Sequence, residues 1–550
     1  MMKRILVAVW VLLAAGAGPA VADLNTGQRA LDLSDYPKAL AELRPLAERG
    51  NSKAQFLLGK MYTFGWGVAQ DKEEGLRWYR EAASRGLPEA RALLIRLCER
   101  DSDAASVAAQ TERLNGLGPL ELLRNGRSLC AKAALQLEAR LEKDPAEATS
   151  RYRLLGYYYF NAAGEIGAPK TIEARRRHIL WLIAEDPGSE LGGAVEARIA
   201  PAGNALADPQ GYAEGSRLWL QQVDRASASA TVFAHAAAYH QIHDKPTAER
   251  ILLAAKSRFP AAAEHYDASL GYLYALAVLG VSGLNHTGIP VAASPQEASS
   301  PFAAKARKAL EQSESAALAG VAGKILSQYG AMMQAFGTSA TGERTLAEKL
   351  LTRAERLQPG NPLWAETLGQ HLLMMAKPGR AGGGDGRAMQ RALGYLEKSL
   401  AQTGEPEWRM SRLQEVAKLA LKLGEQAKAE RYARELLALA EPHPQDEKYG
   451  PAWHDGHMVM GQLALQRGSV AEAREHLRAA GETAGGGTLT SFGPNMGLAR
   501  DLLQRGEKQA VIDYLRQCQN FWTGAQVPIE RWIQDIEHGR TPEFGANLEY

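Results

Sequence analysis

The feature that most constrains this chain is a repeat written into its first hundred residues. Leu46-Ala-Glu-Arg-Gly50 returns as Ala82-Ala-Ser-Arg-Gly86, and Ala54 returns as Ala90, both at an offset of 36 residues. A fixed period in the range of about 20 to 50 residues, with helical apolar spacing inside each unit, is the signature of stacked supersecondary units that bury their faces on their neighbours. Within the unit, Ala54, Leu58, Gly59 and Tyr62 fall at the spacing of one helix face. Gly65-Trp66-Gly67-Val68 supplies a turn, since glycine adopts backbone angles that other residues resist. Asp71 is placed to cap a second helix carrying Trp78, Tyr79, Ala82 and Ala83, and Gly86 closes it.

The string Ala54-Gln55, Leu58-Gly59, Tyr62, Gly65-x-Gly67-Val68, Asp71, Trp78-Tyr79, Ala82-Ala83, Gly86 resembles the Sel1-like repeat family at nearly every signature position, over about residues 30 to 97. Gly75, where that family usually has alanine, is the departure. Beyond Leu94 a looser pattern takes over. Ala248, Leu252, Ala255 and Pro260 recur as Ala347, Leu351, Ala354 and Pro359 at identical spacing, resembling the second helix and exit turn of a tetratricopeptide repeat. Leu155-Gly156-x-x-Tyr159, Leu270-Gly271-x-x-Tyr274 and Leu368-Gly369-x-x-Leu372 look like the matching first helices. Met460-Gly461, Ala464, Gly468, Ala473, Leu477 and Ala480 run through a whole unit in that family's order. The resemblance implies an all-α, right-handed alpha-alpha superhelix, a solenoid of Sel1-like and tetratricopeptide-like helical hairpins.

The expected organisation is a signal peptide at 1–22, Sel1-like repeats at 23–97, degenerate tetratricopeptide-like repeats at 98–281, a loop or hinge at 282–301, further repeats at 302–481, and capping helices with a tail at 482–550. Lys3 and Arg4 precede an apolar run from Ile5 to about Ala15, and Ala20-Val21-Ala22 offers a small-residue cleavage site before Asp23. No cysteine accompanies this segment, so no lipid attachment is expected, and a periplasmic or secreted chain follows as the expectation. Ala376 to Arg387, with Gly382-Gly-Gly-Asp-Gly386, and Ser282 to Pro301 read as loops between helices. The block from 450 to 550, with Phe492-Gly-Pro-Asn-Met496 and Phe544-Gly-Ala-Asn-Leu548, resembles the ending of uncharacterised bacterial tetratricopeptide-repeat proteins.

Lys plus Arg total 64 against 62 Asp plus Glu, which argues against nucleic acid or anionic lipid as the dominant partner. The triplet Arg175-Arg176-Arg177 reads as a solvated helix face. Of three cysteines, Cys98 and Cys130 are the candidate pair, their bonding left open until their backbone separation is known, while Cys518 reads as a small apolar core residue.

The search for chemistry returns little. Trp453-His454-Asp455-Gly456-His457, with His443 and His476 nearby, could place two imidazoles on one side of a helix start, but the sequence has no HExxH or paired-cysteine arrangement, so packing or capping is expected and no metal is assigned. No G-x-S-x-G elbow or Walker glycine loop is present, and no catalytic residue, cofactor or enzymatic activity is expected. Tyr62, Trp66 and Tyr158 are candidate partner-binding aromatics, joined by His454, His457 and by Asn495, whose side chain could cap a helix that accepts an anion. The expected function is a non-enzymatic protein-interaction scaffold of the cell envelope. The alternatives are recognition of peptidoglycan or polysaccharide and, third, a metal-dependent envelope enzyme.

Overall fold

The computed structural model describes residues 24–548 apart from 102, 285–289, 336–340, 377–384, 403, 444–445, 447 and 523–527. The proposed signal segment and most of the glycine-rich loop after Ala376 lie outside the described residues. The rest is an all-α superhelical repeat fold divided into two compact units, the first comprising residues 1–260 and 281–294 and the second 261–280 and 295–550.

The first unit begins with α1 (Leu24–Asp32), α2 (Tyr36–Glu48), α3 (Ser52–Phe64), α4 (Lys72–Ser84) and α5 (Pro88–Asp101). It continues through α6 (Ala104–Leu114), α7 (Pro119–Gly126), α8 (Ala131–Lys143), α9 (Ala148–Phe160), α10 (Ala162–Glu165) and α11 (Ala168–Glu185). It closes with α12 (Pro209–Asp224), α13 (Ala230–His240) and α14 (Lys245–Arg258). The 36-residue repeat folds as its residues dictate. Gly65 and Gly67 both sit at φ +71°, and the Asp71 carboxylate accepts from the amides of Glu73 and Glu74 at 3.0 Å, starting α4. Gly86, at φ +86°, ends α4. The departure at Gly75 has a local cause: a Cβ there would lie 2.3 Å from Thr63 Oγ1 and 2.9 Å from the Gly59 carbonyl, so α3 and α4 touch backbone to backbone.

A disulfide joins Cys98 at the end of α5 to Cys130 before α8, with Cα atoms 5.9 Å apart. The interval 282–301, expected as a loop or hinge, carries two short antiparallel strands, β1 (Val281–Leu284) and β2 (Pro290–Ala293), and a helical turn, Pro295–Ala298. Four-residue strands are too short to show an alternation that sequence inspection could detect.

The second unit runs through successive long helices, among them Ala263–Val278, Ala316–Ala335, Pro362–Ala376 and Pro406–Lys422. Its repeat alanines are core: Ala347, Leu351 and Ala354 are fully buried, as are Ala464, Ala473, Leu477 and Ala480 in the hairpin Gly450–Gln466 and Val470–Gly481. The end of the chain closes this core. Leu498 and Leu502, Val511, Tyr514 and Cys518, then Trp532 and Phe544 pack in one cluster with Leu477 and Ala480. Burial pushes the Cys518 thiol up, which suits the inert apolar role expected of it. No helix of the described residues is long and apolar enough to cross a membrane.

Candidate functional site

The aromatic residues at hairpin positions are mostly core. Trp78, Tyr79, Tyr157, Trp219 and Trp364 are all buried, and so is Tyr158. Tyr158 is therefore not an open contact residue. Its hydroxyl donates to Glu138 at 2.7 Å, and its ring stacks on His178 with centroids 5.6 Å apart. Glu138 also accepts from His178 Nε2 at 2.9 Å and from Arg177 at 2.7 Å. Arg151 can only donate, so its contact with His178 Nδ1 at 3.3 Å fixes a neutral ring that donates from Nε2. Burial opposes ionisation of Glu138, but the His178 and Tyr158 hydrogen bonds and the Arg177 charge outweigh it and hold the carboxyl at about 2.

The histidines expected at one helix start take different partners. His454 is fully buried and bonds Tyr514 at 2.9 Å through Nε2 and Asp455 at 3.2 Å through Nδ1, while His457 meets His476 Nδ1 to Nδ1 at 2.9 Å. Among the described residues no group of three histidine, cysteine or carboxylate ligands could hold a metal. Asn495 accepts from the Gly497 amide at 2.8 Å, but Met496 is the N-cap residue of that helix, Gly497–Leu503, which is only 7 residues long. Tyr62 is half-buried and accepts from Arg44 at 2.7 Å. Trp66 is also half-buried, stacked between Tyr36 at 6.0 Å and the exposed ring of Phe64 at 5.0 Å.

A cavity of a size to hold a ligand lies in the first unit and was not anticipated. It encloses about 700 Å³ and is walled by Tyr159 and Phe160 of α9, Arg175 of α11, the segment Arg198 to Ala200 with Asn204 to Leu206, Tyr239 of α13, and Ile242 with His243. The size is that of small-ligand and side-chain pockets, about 300 to 1,000 Å³. Arg175 corrects the reading of the arginine triplet as a solvated face, because the three side chains part company. Arg177 reaches Glu138, Arg176 pairs with Asp208 at 2.6 Å, and Arg175 is 5% exposed. Arg175 donates from Nη2 to the carbonyls of Glu196 and Arg198, each at 2.9 Å, its Nε is buried without a partner, and its guanidinium lies 5.4 Å from the Tyr159 ring centroid. Burial pulls its pKa down to about 10, against the pull of Tyr159, Asp208 and Glu196. The sequence did hold a signal. Thr171, Ala174, Arg175, His178, Ile179 and Leu182 share one buried stripe at helical spacing, which puts Arg175 inside.

The aromatic part of the wall is held in place by its neighbours. Tyr159 meets Phe160 edge to face at 4.8 Å, and Arg127 lies 3.9 Å over the Phe160 ring. Tyr239 donates to the Tyr212 carbonyl at 3.1 Å and stacks on the Tyr212 ring at 5.2 Å, while His243 sits edge-on to Tyr212 at 5.8 Å. Burial, then the charge of Lys245, lowers the His243 pKa and favours the neutral ring. A guanidinium that among the described residues has no carboxylate bonded to it, set beside aromatic faces, suits an anionic or aromatic group entering from outside.

The Sel1 repeat family model matches residues 52–87. No curated protein matches the chain. Among solved structures, the chain is similar to c5321, a protective antigen of uropathogenic Escherichia coli strains displaying an SLR fold, at 15% identity over 98% of each chain with a TM-score of 0.24. It is likewise similar to the yeast Tom70, at 13% identity over 90% of this chain and 96% of that one, with a TM-score of 0.27. α3 and α4 form the hairpin that the Sel1 repeat model matches, and further helices pack in succession after it in both units.

Proposed function

We propose that this protein is a non-enzymatic protein-interaction scaffold of the bacterial cell envelope, periplasmic or secreted, and that its first unit holds a segment of a protein partner in the cavity at Arg175. The observation that carries this reading is the buried guanidinium of Arg175, which lines a cavity of about 700 Å³ with Tyr159, Phe160 and Tyr239 and, among the described residues, has no carboxylate bonded to it. A fully buried cation is costly unless something compensates it, and an acidic or aromatic side chain of a partner would do so. Stacked hairpins support the class, since they present a preformed surface that limits the ordering penalty of association. Sel1-like and tetratricopeptide-like repeats are similar in being interaction modules, which is a fold-level argument. The geometry around His454 and His457 lends no support to a metal-dependent reaction, because among the described residues no group of three metal-ligating side chains forms there.

Mild cross-linking of the envelope followed by co-purification tests the proposal. A protein recovered with the wild-type chain and lost with Arg175→Gln is the expected result; equal recovery with both would reject the cavity as the binding place. Recognition of peptidoglycan or polysaccharide is favoured by one observation, the Tyr36, Trp66 and Phe64 stack, where Phe64 is 57% exposed and offers a ring face to a sugar. Retention on purified cell wall in the absence of other proteins, abolished by Phe64→Ala and untouched by Arg175→Gln, would select it.

A further inference from the structure

A second cavity in the first unit, separate from that at Arg175, encloses about 470 Å³ between α4, α5, α6, α7 and the start of α8. Leu76, Leu94, Leu97, Val107 and Leu129 give it apolar walls, and Cys98 of the disulfide lines it too. Its polar lining is dominated by donors, for a reason that begins behind the wall. Arg153 of α9 is fully buried, and every partner of its guanidinium is neutral: Nε donates to Asn125 Oδ1 at 2.9 Å, Nη1 to Thr111 Oγ1 at 2.8 Å and Nη2 to Gln110 Oε1 at 2.7 Å. Thr111 in turn donates to the Val107 carbonyl at 2.8 Å.

Arginine has no acceptor atom, so these bonds settle which end of each amide faces it. The oxygens of Gln110 and Asn125 point to Arg153, and their NH₂ groups are turned away from it on residues that line the cavity. Arg80 of α4 lines the same space, with its Nε buried and unpartnered. Arg80 and Arg153 repel each other and Glu73 attracts Arg80 from a distance, but among the described residues neither guanidinium makes an ion pair with a carboxylate. The one carboxylate among the lining residues, Glu73, is exposed at the rim, as is Arg113. The hydroxyls of Ser106 and Ser128 are spent on Asp103 and on the Asn125 carbonyl.

We propose that this cavity binds a monocarboxylate carrying an apolar chain, the carboxylate received by Arg80 and the amide NH₂ groups of Gln110 and Asn125, and the chain by the leucines around them. A carboxylate can accept from all three at once, and a charge-assisted bond to guanidinium is about twice as strong as a neutral one. Arg153 makes the amides better donors by polarising them through their oxygens. A free medium-chain acid and the C-terminal residue of a protein segment share this chemistry.

Calorimetric titration of the full chain with octanoate, with octanol, and with a peptide ending in leucine, as free acid and as amide, distinguishes them. The expected result is that octanoate or the free-acid peptide binds at least tenfold more tightly than its uncharged counterpart, and that Arg80→Gln removes the difference. Whichever acid binds identifies the source. Binding of neither acid, equal binding of octanol and octanoate, or an undiminished preference in Arg80→Gln overturns the proposal. Should Arg80→Gln fold poorly, Gln110→Glu serves instead. It keeps a bond to Arg153 but places a carboxylate at the donor wall, so acid binding falls at least tenfold while the melting temperature holds or rises. Acid binding that survives Gln110→Glu also overturns the proposal.

Discussion

Gly126 and Gly156 face each other where α7 crosses α9, so closely that a Cβ on Gly126 would lie 2.0 Å from the Arg153 carbonyl oxygen and one on Gly156 2.0 Å from that of Leu123. Backbone stands on both sides, and neither can give way as a side chain would. Gly156→Ala is expected to cost about 3 kcal/mol or more, at the upper end of overpacking changes, and to lower the melting temperature of the first unit. Gly394 is the control. It lies inside the helix Gly386–Gln402 with nothing within 4 Å of an added Cβ, so Gly394→Ala should gain about 0.5 to 1 kcal/mol in a denaturant titration.

The Glu138 network predicts an acid-side loss of stability. Its carboxyl is held at about 2 in the folded chain against an ordinary 4.5, so the stabilisation is complete above about 4.5 and disappears as pH falls through about 2. Glu138→Gln should be less stable than wild type at neutral pH and lose less on acidification. Melting curves of the two proteins that run parallel down to pH 2 would contradict this.

The His457 and His476 pair titrates in a different window. Burial, then the neighbouring charge of His476, lowers His457 to about 4, and burial lowers His476 as well. A histidine depressed in this way contributes stability above its unfolded value of about 6.5 that is lost as pH falls towards 4. Imidazole resonances should show His457 neutral at pH 5.5, and His476→Ala should move its midpoint upwards, towards 6.5.

Reduction of the bond between Cys98 and Cys130, 32 residues apart, is expected to destabilise the first unit by about 3.7 kcal/mol, in line with a loop of that length. Cys518, with no exposed surface, should stay unreactive to a thiol reagent in the native protein and become reactive only on unfolding. Rapid native labelling of a thiol without reductant would show that one of these assignments is mistaken.

What the sequence by itself determined is whatever its local spacing enforces. Gly65 and Gly67 had to turn, Asp71 had to cap, and alanines at 347, 354, 473 and 480 had to sit at close helix crossings, because φ/ψ preference and a 3.6-residue period act within a few residues. The cavities were decided elsewhere. Tyr159, Arg175, Arg198 and Tyr239 come from separate elements and meet only when α9, α11 and α13 have packed, and the donor wall of the second cavity exists because Arg153 reaches Gln110 and Asn125 some 43 and 28 residues away. The partition of Arg175, Arg176 and Arg177 among a cavity, Asp208 and Glu138 has the same origin. The helical stripe that includes Arg175 marks it as the inward member of the three, but only the helices packed around α11 supply the carbonyls, carboxylates and aromatic rings that divide them.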